Sequence, residues 1–324
     1  MDEIDLGRTE LGLEIARLGR EDLGDAADLV TQRYRCLRAI VPELPPQYGR
    51  VETILPLLKE LATANPGVIA FDGDRLVGFL VGKVLPSFRG RRAAYSPEWA
   101  NTANTEDSQR IYQEMYAALS PMWMSDNCPV HLVSLLADDQ AAIDAWFWEG
   151  FGLLAVDALT KTRCLGGEKT DARVRPAGLT DLDDLVRLGK CLQHHLASPP
   201  TFVGDAGRLD REAWQRQISD EKTCILVARQ GGKAVAYMRM EPANPNACTI
   251  IKDKKTASVT AAYTNPDLRG RGIGTTLLKG CMEWAQSHDY ERCAVDFEPM
   301  NVAGSRFWLR HYHPICFTVM RIIG

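Results

Sequence analysis

The chain has 324 residues, enough for two domains at about 100–200 residues each. Hydrophobic residues supply 45% and charged residues 25%, ordinary globular values that exclude a wholly disordered or fibrous chain. Thirty-eight Lys and Arg against 42 Asp and Glu give a formal charge of −4, which argues against a globally basic nucleic-acid binder. The acidic N-terminus lacks the apolar core of a secretory signal, and no stretch approaches the roughly 18 apolar residues of a membrane span. The nine cysteines are scattered, without Cys-x-x-Cys or Cys/His clusters at zinc spacing, so reduced, packed thiols in a cytoplasmic protein without a metal are expected.

In chain order, Ile15-Ala16-Arg17 reads as a short strand followed by a helix through residues 21–30. Residues 41–46, with three prolines in six, read as a loop before a second helix over 54–64. Apolar runs flank Asp72-Gly73-Asp74, a hairpin signal. A strand at 91–95, a helix over 108–124, a strand over 130–136 and a helix over 141–148 complete the first half, which ends at Gly150-Phe151-Gly152. After the Gly-rich stretch 164–171 the rhythm restarts. Val174-Arg175-Pro176 resembles Ile15-Ala16-Arg17, with Arg175 at an offset of 158 from Arg17, residues 228–237 repeat 70–79 at the same offset, and Phe307-Trp308 repeats Phe147-Trp148 at 160. Three ordered matches argue for a tandem duplication. The expected fold class is α/β with mixed (α+β) sheets, divided into domains at residues 1–165 and 172–324. Trp99, Trp123, Trp146 and Trp148 are expected in packing.

Residues 258–285, SVTAAYTNPDLRGRGIGTTLLKGCMEWA, carry the most information. Val259, Ala261 and Tyr263 alternate as in a strand, Asn265-Pro266-Asp267 ends it, and Ile273, Leu277, Leu278, Cys281 and Met282 recur at helical spacing. Between them lies Arg269-Gly270-Arg271-Gly272-Ile273-Gly274-Thr275. Glycines let backbone approach a ligand, the helix start offers free N–H groups with partial positive charge, and two arginines add full charges. The pattern is an anion cradle suited to a diphosphate. A Walker A loop is excluded, since no Gly-Lys-Ser/Thr occurs. A dinucleotide fingerprint ranks second: Asp296 is suitably spaced, but Thr275 stands at the third glycine position and the strand does not open a βαβ unit.

Pro266…Arg269-x-x-Gly272-x-Gly274 resembles the pyrophosphate motif of the GNAT N-acetyltransferase superfamily, Q/R-x-x-G-x-G/A, and the resemblance extends over approximately residues 173–324. It implies that Arg269 to Thr275 bind the diphosphate of acetyl-CoA, that the strand at Ala262, Tyr263 and Thr264 runs along the pantetheine arm, and that the strand at 293–297 splays away to admit the thioester. It also places Asn301, at the start of the last helix, near the cofactor arm. The family's proton-donating Tyr position is held by Trp308, so Tyr312, one turn on, is the substitute acid, with His311 and His313 as alternatives. Glu241, Asp296 and Glu298 are candidate bases; Glu241 and Glu298, with Tyr312, form the expected catalytic set. The first half has no glycine from Arg91 to Phe147, and is expected to be a degenerate GNAT-like domain that binds no CoA and shapes the acceptor pocket. The implied activity is direct transfer of acetyl from acetyl-CoA to a primary amine. The other reading is an acyl-CoA-binding sensor without transfer. The expected partners are acetyl-CoA and an amine, without nucleic acid or membrane, in a monomer or homodimer.

Overall fold

A computed structural model describes residues 12–163, 166, 170–204, 209–242, 244 and 247–324. The elements in order are β1 (Glu14–Arg17), α1 (Leu23–Ile40), α2 (Val51–Ala64), β2 (Gly67–Asp72), β3 (Arg75–Val81), β4 (Lys83–Phe88), β5 (Arg91–Ser96), β6 (Asn101–Ala103), α3 (Ser108–Ser125), β7 (Val130–Leu136), α4 (Gln140–Trp148) and β8 (Gly152–Lys161). There follow β9 (Arg173–Pro176), α5 (Leu182–Ala197), α6 (Arg211–Ser219), β10 (Cys224–Gln230), β11 (Lys233–Pro242), β12 (Thr256–Thr264), α7 (Ile273–Ser287), β13 (Arg292–Phe297), α8 (Val302–Trp308) and β14 (His313–Ile322). Both halves run strand, two helices, hairpin, then helix, strand, helix, strand, with three strands (β4, β5 and β6) between hairpin and helix in the first half and β12 alone in the second.

The chain divides into two compact units. One comprises Met1–Val156, Cys248–Ile250 and Pro314–Gly324; the other comprises Asp157–Ala247 and Ile251–His313. The units therefore part at Val156 rather than in the Gly-rich stretch, and the last strand belongs with the first half. Much of that stretch lies outside the described residues.

In the first unit, β1-β2-β3-β6 form one sheet, and β4, β5, β7 and β14 are neighbours in order in another. β14 pairs antiparallel with β7 from Cys316↔Leu136 to Ile322↔Val130. Val319 joins a core built round Trp123 and Trp146, where Tyr116 meets Trp146 edge-on at 5.3 Å. Trp148 departs from expectation: it is 71% exposed at the C-terminal end of α4, against Phe147, because the helix turns its other face to the core. The stretch between β5 and α3 contains β6, paired with β3, where no strand was expected.

In the second unit the order is β13-β12-β11-β10-β9. All neighbours are antiparallel except β12 and β13, which run parallel through the crossover helix α7. α7 buries Ile273, Leu277, Leu278, Cys281, Met282 and Ala285, one stripe at helical spacing. On α5, Leu182, Leu185 and Leu188 pack with Trp214 and Tyr237. Asp181 precedes α5, and Arg175 and Arg229 both donate to it, so its carboxyl stays below the usual range. Among the described residues no helix is long and apolar enough to cross a membrane, and no His, Cys, Asp or Glu group could hold a metal ion.

Candidate functional site

The site begins where two strands part. The parallel ladder of β12 and β13 has four rungs, Thr256↔Arg292 to Val259↔Val295, and then stops. On the other side of β12 the register with β11 slips at the next residue: Met240 faces Val259 and Arg239 faces Ala261, leaving Thr260 as a bulge. A bulge re-aims the backbone and ends regular pairing. Arg239 Nε holds it by donating to Thr260 Oγ1 at 2.8 Å, while its NH1 donates to Gln217 at 2.8 Å. β12 thus continues from Thr260 to Thr264 with β11 on one side and without a β13 rung on the other.

A cavity of about 430 Å³ opens at this split. Every residue lining it belongs to the second unit. Val259, Thr260, Ala261 and Ala262 form its floor, Leu192, Leu196 and Trp214 one wall, and Asn301 and Trp308 another. Glu241, Asp296 and Glu298 all face it. Glu241 pairs with Arg239 at 3.4 Å. Asp296 accepts from Asn244 Nδ2 at 2.7 Å; partial desolvation outweighs that bond and raises its carboxyl above the usual range, although the residue keeps contact with solvent. Asn301 caps α8 by accepting from the Gly304 N–H at 3.3 Å and meets His195 Nε2 at 3.1 Å.

Beyond the split, β12 leads directly into the glycine loop. Gly270 and Gly272 both have φ of +74°, the left-handed region. Gly272 caps α7, and the first helical bond runs from Thr276 N–H to Gly272 O at 3.0 Å. The N–H groups of Ile273, Gly274 and Thr275 precede that bond and have no carbonyl one turn back to receive them. A Cβ on Gly270 would point into open space, whereas one on Gly274 would come within 3.1 Å of the Phe307 ring. Gly274 therefore also lets α8 pack against the helix start. Arg269 folds back, Nε donating to Thr264 O at 3.1 Å and its guanidinium 5.9 Å from the Tyr263 ring centre; Arg271 is exposed.

Tyr312 is placed elsewhere. α8 ends at Trp308, so the expected extra helical turn is replaced by a turn into β14. Tyr312 is 3% exposed, its hydroxyl lies 3.0 Å from Cys293 Sγ, and burial raises its pKa well above the phenol range. It does not line the cavity, and Trp308 does. His311 and His313 do not line it either. Asn244, Thr260 and Trp214 do line it, although nothing in their sequence surroundings marks them.

The first unit has a matching ladder with a different ending. β5 and β7 pair in parallel over four rungs, Ala93↔Val130 to Ser96↔Val133, and stop. Here Asn101 fills the gap: Nδ2 donates to Ser96 Oγ, Pro97 O and Ser134 O at 3.2, 3.0 and 3.1 Å, and Oδ1 accepts from Tyr112 at 3.2 Å. Asp139 caps α4 as Asn301 caps α8, and Arg33 binds it at 2.8 Å. The space left is about 20 Å³, room for roughly one water.

The split parallel pair thus stands beside a glycine-rich helix start with free N–H groups, an arrangement that could hold an anion next to an open cavity. Residues 191–312 match the model of the acetyltransferase (GNAT) family, a match that lies wholly within the second half. The match makes the chain an acyltransferase by class. An uncharacterized N-acetyltransferase of Archaeoglobus fulgidus is 24% identical over 145 residues, 42% of this chain and 88% of that protein. A GCN5-related N-acetyltransferase from Sphaerobacter thermophilus shares the fold over 96% of this chain and 95% of its own, with a TM-score of 0.57 at 12% identity. The fold likeness to a fungal multi-domain β-N-acetylglucosaminidase with a GCN5-related glucosamine N-acetyltransferase region has a TM-score of 0.50 at 12% identity, covering 95% of this chain and 38% of the fungal one.

Proposed function

We propose that the second unit transfers acetyl from acetyl-CoA to a primary amine by direct attack, both substrates being bound at once. The observation that carries this reading is the ladder's end at Val259↔Val295 beside the Thr260 bulge, on the strand that continues into the glycine loop. The N–H groups from Gly270 to Thr275 and the charges of Arg269 and Arg271 suit a diphosphate. The backbone of Ala262, Tyr263 and Thr264 would bond the amide-bearing arm, and Asn301 would border it. The thioester would then reach the split, where backbone N–H groups freed by the bulge polarise its carbonyl. Glu241 and Glu298 attract the cationic amine, and the walls of Leu192, Leu196 and Trp214 exclude water. No metal enters the scheme. The first unit is a degenerate copy whose split Asn101 closes.

A panel of amines with acetyl-CoA, scored by release of free thiol, tests the proposal, with CoA affinity measured by calorimetry. Amine-dependent thiol release at one CoA site per chain is expected. The sensor reading rests on Trp308, an indole at the cavity wall that cannot protonate a thiolate. CoA binding without thiol release from any amine would favour it.

A further inference from the structure

Three carboxyl groups face the cavity, and their surroundings set them apart. Glu241 sits beside the Arg239 guanidinium, its Oε1 occupied by that contact at 3.4 Å. Glu298 lies two residues beyond Asp296, past the end of β13 at Phe297. Asp296 is the first residue past the last rung, on the strand that parts from β12. Asn244 holds it from the opposite side: its Nδ2 donates to Asp296 Oδ1 at 2.7 Å, and its own N–H donates to the buried Ser258 Oγ at 3.0 Å. One carboxylate oxygen is thus fixed, while a carboxylate has acceptor capacity on both. Partial desolvation raises the Asp296 carboxyl, the direction that favours proton acceptance, while the residue keeps contact with solvent. The other charged groups round the cavity are Lys190 on α5, Arg239 and Glu241 on β11, and Glu298.

We propose that Asp296 is the general base of the acetyl transfer and that Asn244 is the positioning residue that aims it. The inference rests on the N-acetyltransferase reading. The incoming ammonium gives one proton to the Asp296 carboxylate. The neutral nitrogen forms the C–N bond to the acetyl carbon, and the C–S bond breaks with its electron pair on sulfur. The second nitrogen proton passes to the thiolate, giving amide and free thiol, and Asp296 returns its proton to solvent.

The test measures thiol release from acetyl-CoA across pH 5–9, using the best amine of the panel and full-length protein. The variants are Asp296→Asn, Asn244→Ala, Glu241→Gln and Glu298→Gln, each with its CoA affinity and melting temperature. Asp296→Asn is expected to lower kcat by about 10²–10⁴-fold and abolish the acid limb, with CoA affinity kept. Its melting temperature at pH 7 should stay close to that of the wild type, so that the loss of kcat is not a loss of fold. Asn244→Ala removes a donor that favours the carboxylate, so its acid limb should move to higher pH, with kcat recovering above it. Thiol release that keeps its acid limb in Asp296→Asn, or loses it in Glu241→Gln or Glu298→Gln, overturns the assignment while leaving the transferase reading standing. No thiol release from the wild type with any amine overturns both.

Discussion

Replacing Asn101 by alanine probes why one unit of the chain has an open split and the other a closed one. The Asn101 side chain is buried, with two N–H donors shared among three acceptors and one oxygen receiving the Tyr112 hydroxyl. About three bonds' worth of pairing disappears at about 1 kcal/mol each, and the carbonyls of Pro97 and Ser134 lose a partner in a confined space. The expected loss is therefore about 3–4 kcal/mol, read by urea denaturation of the full chain with calorimetry as a check on cooperativity. CoA stoichiometry should remain one per chain, because the variant opens a gap without creating a glycine loop. A loss below about 1 kcal/mol, or a second CoA bound by the wild type, would refute the account of Asn101 as the plug of a closed split.

Aspartate at Gly272 or Gly274 puts a negative charge in the anion cradle, and calorimetry should show at least about a hundredfold loss of CoA affinity. Gly272 also carries left-handed strain of about 1–2 kcal/mol on substitution, and a Gly274 side chain meets Phe307, so both melting temperatures should fall modestly. Tyr312→Phe should keep kcat within about threefold and cost about 1 kcal/mol for the lost Cys293 contact; a hundredfold fall in kcat would return the phenol to the proton path. His131 is buried beside Tyr116, and desolvation lowers its pKa from 6.5 to about 4. The unfolded chain takes up that proton first, so stability is full above about pH 6.5 and falls as pH drops toward 4, by about 3 kcal/mol in all. Thermal melts of His131→Phe over this window should lack most of that slope.

Local chemistry was readable before any coordinates. The helix stripe from Ile273 to Ala285 and the glycine loop before it announce themselves because each depends on residues a few positions apart. The hairpins at Gly73 and at Gly231 and Gly232 do so for the same reason, with left-handed φ at each glycine. The split was not readable in the same way. Val259 and Val295 look like any strand residues, and only their being the last rung makes Asp296 matter. The same holds for Asn101, which sits in a three-residue strand of low β-propensity, β6, and acts through partners on β5, β7 and α3. Tyr312 was misplaced because helical spacing was carried past Trp308, where pairing of the next segment with β7 draws the chain into a strand.

The membership of residues 314–324 in the first unit has a consequence for how the protein is made and handled. During synthesis the N-terminal half must wait, with one flank of β7 unpaired, until residues 314–324 have left the ribosome. Such a late, distant pairing gives slow maturation and an interval in which a bare strand flank can capture another copy. Expressing residues 1–165 alone would make that interval permanent.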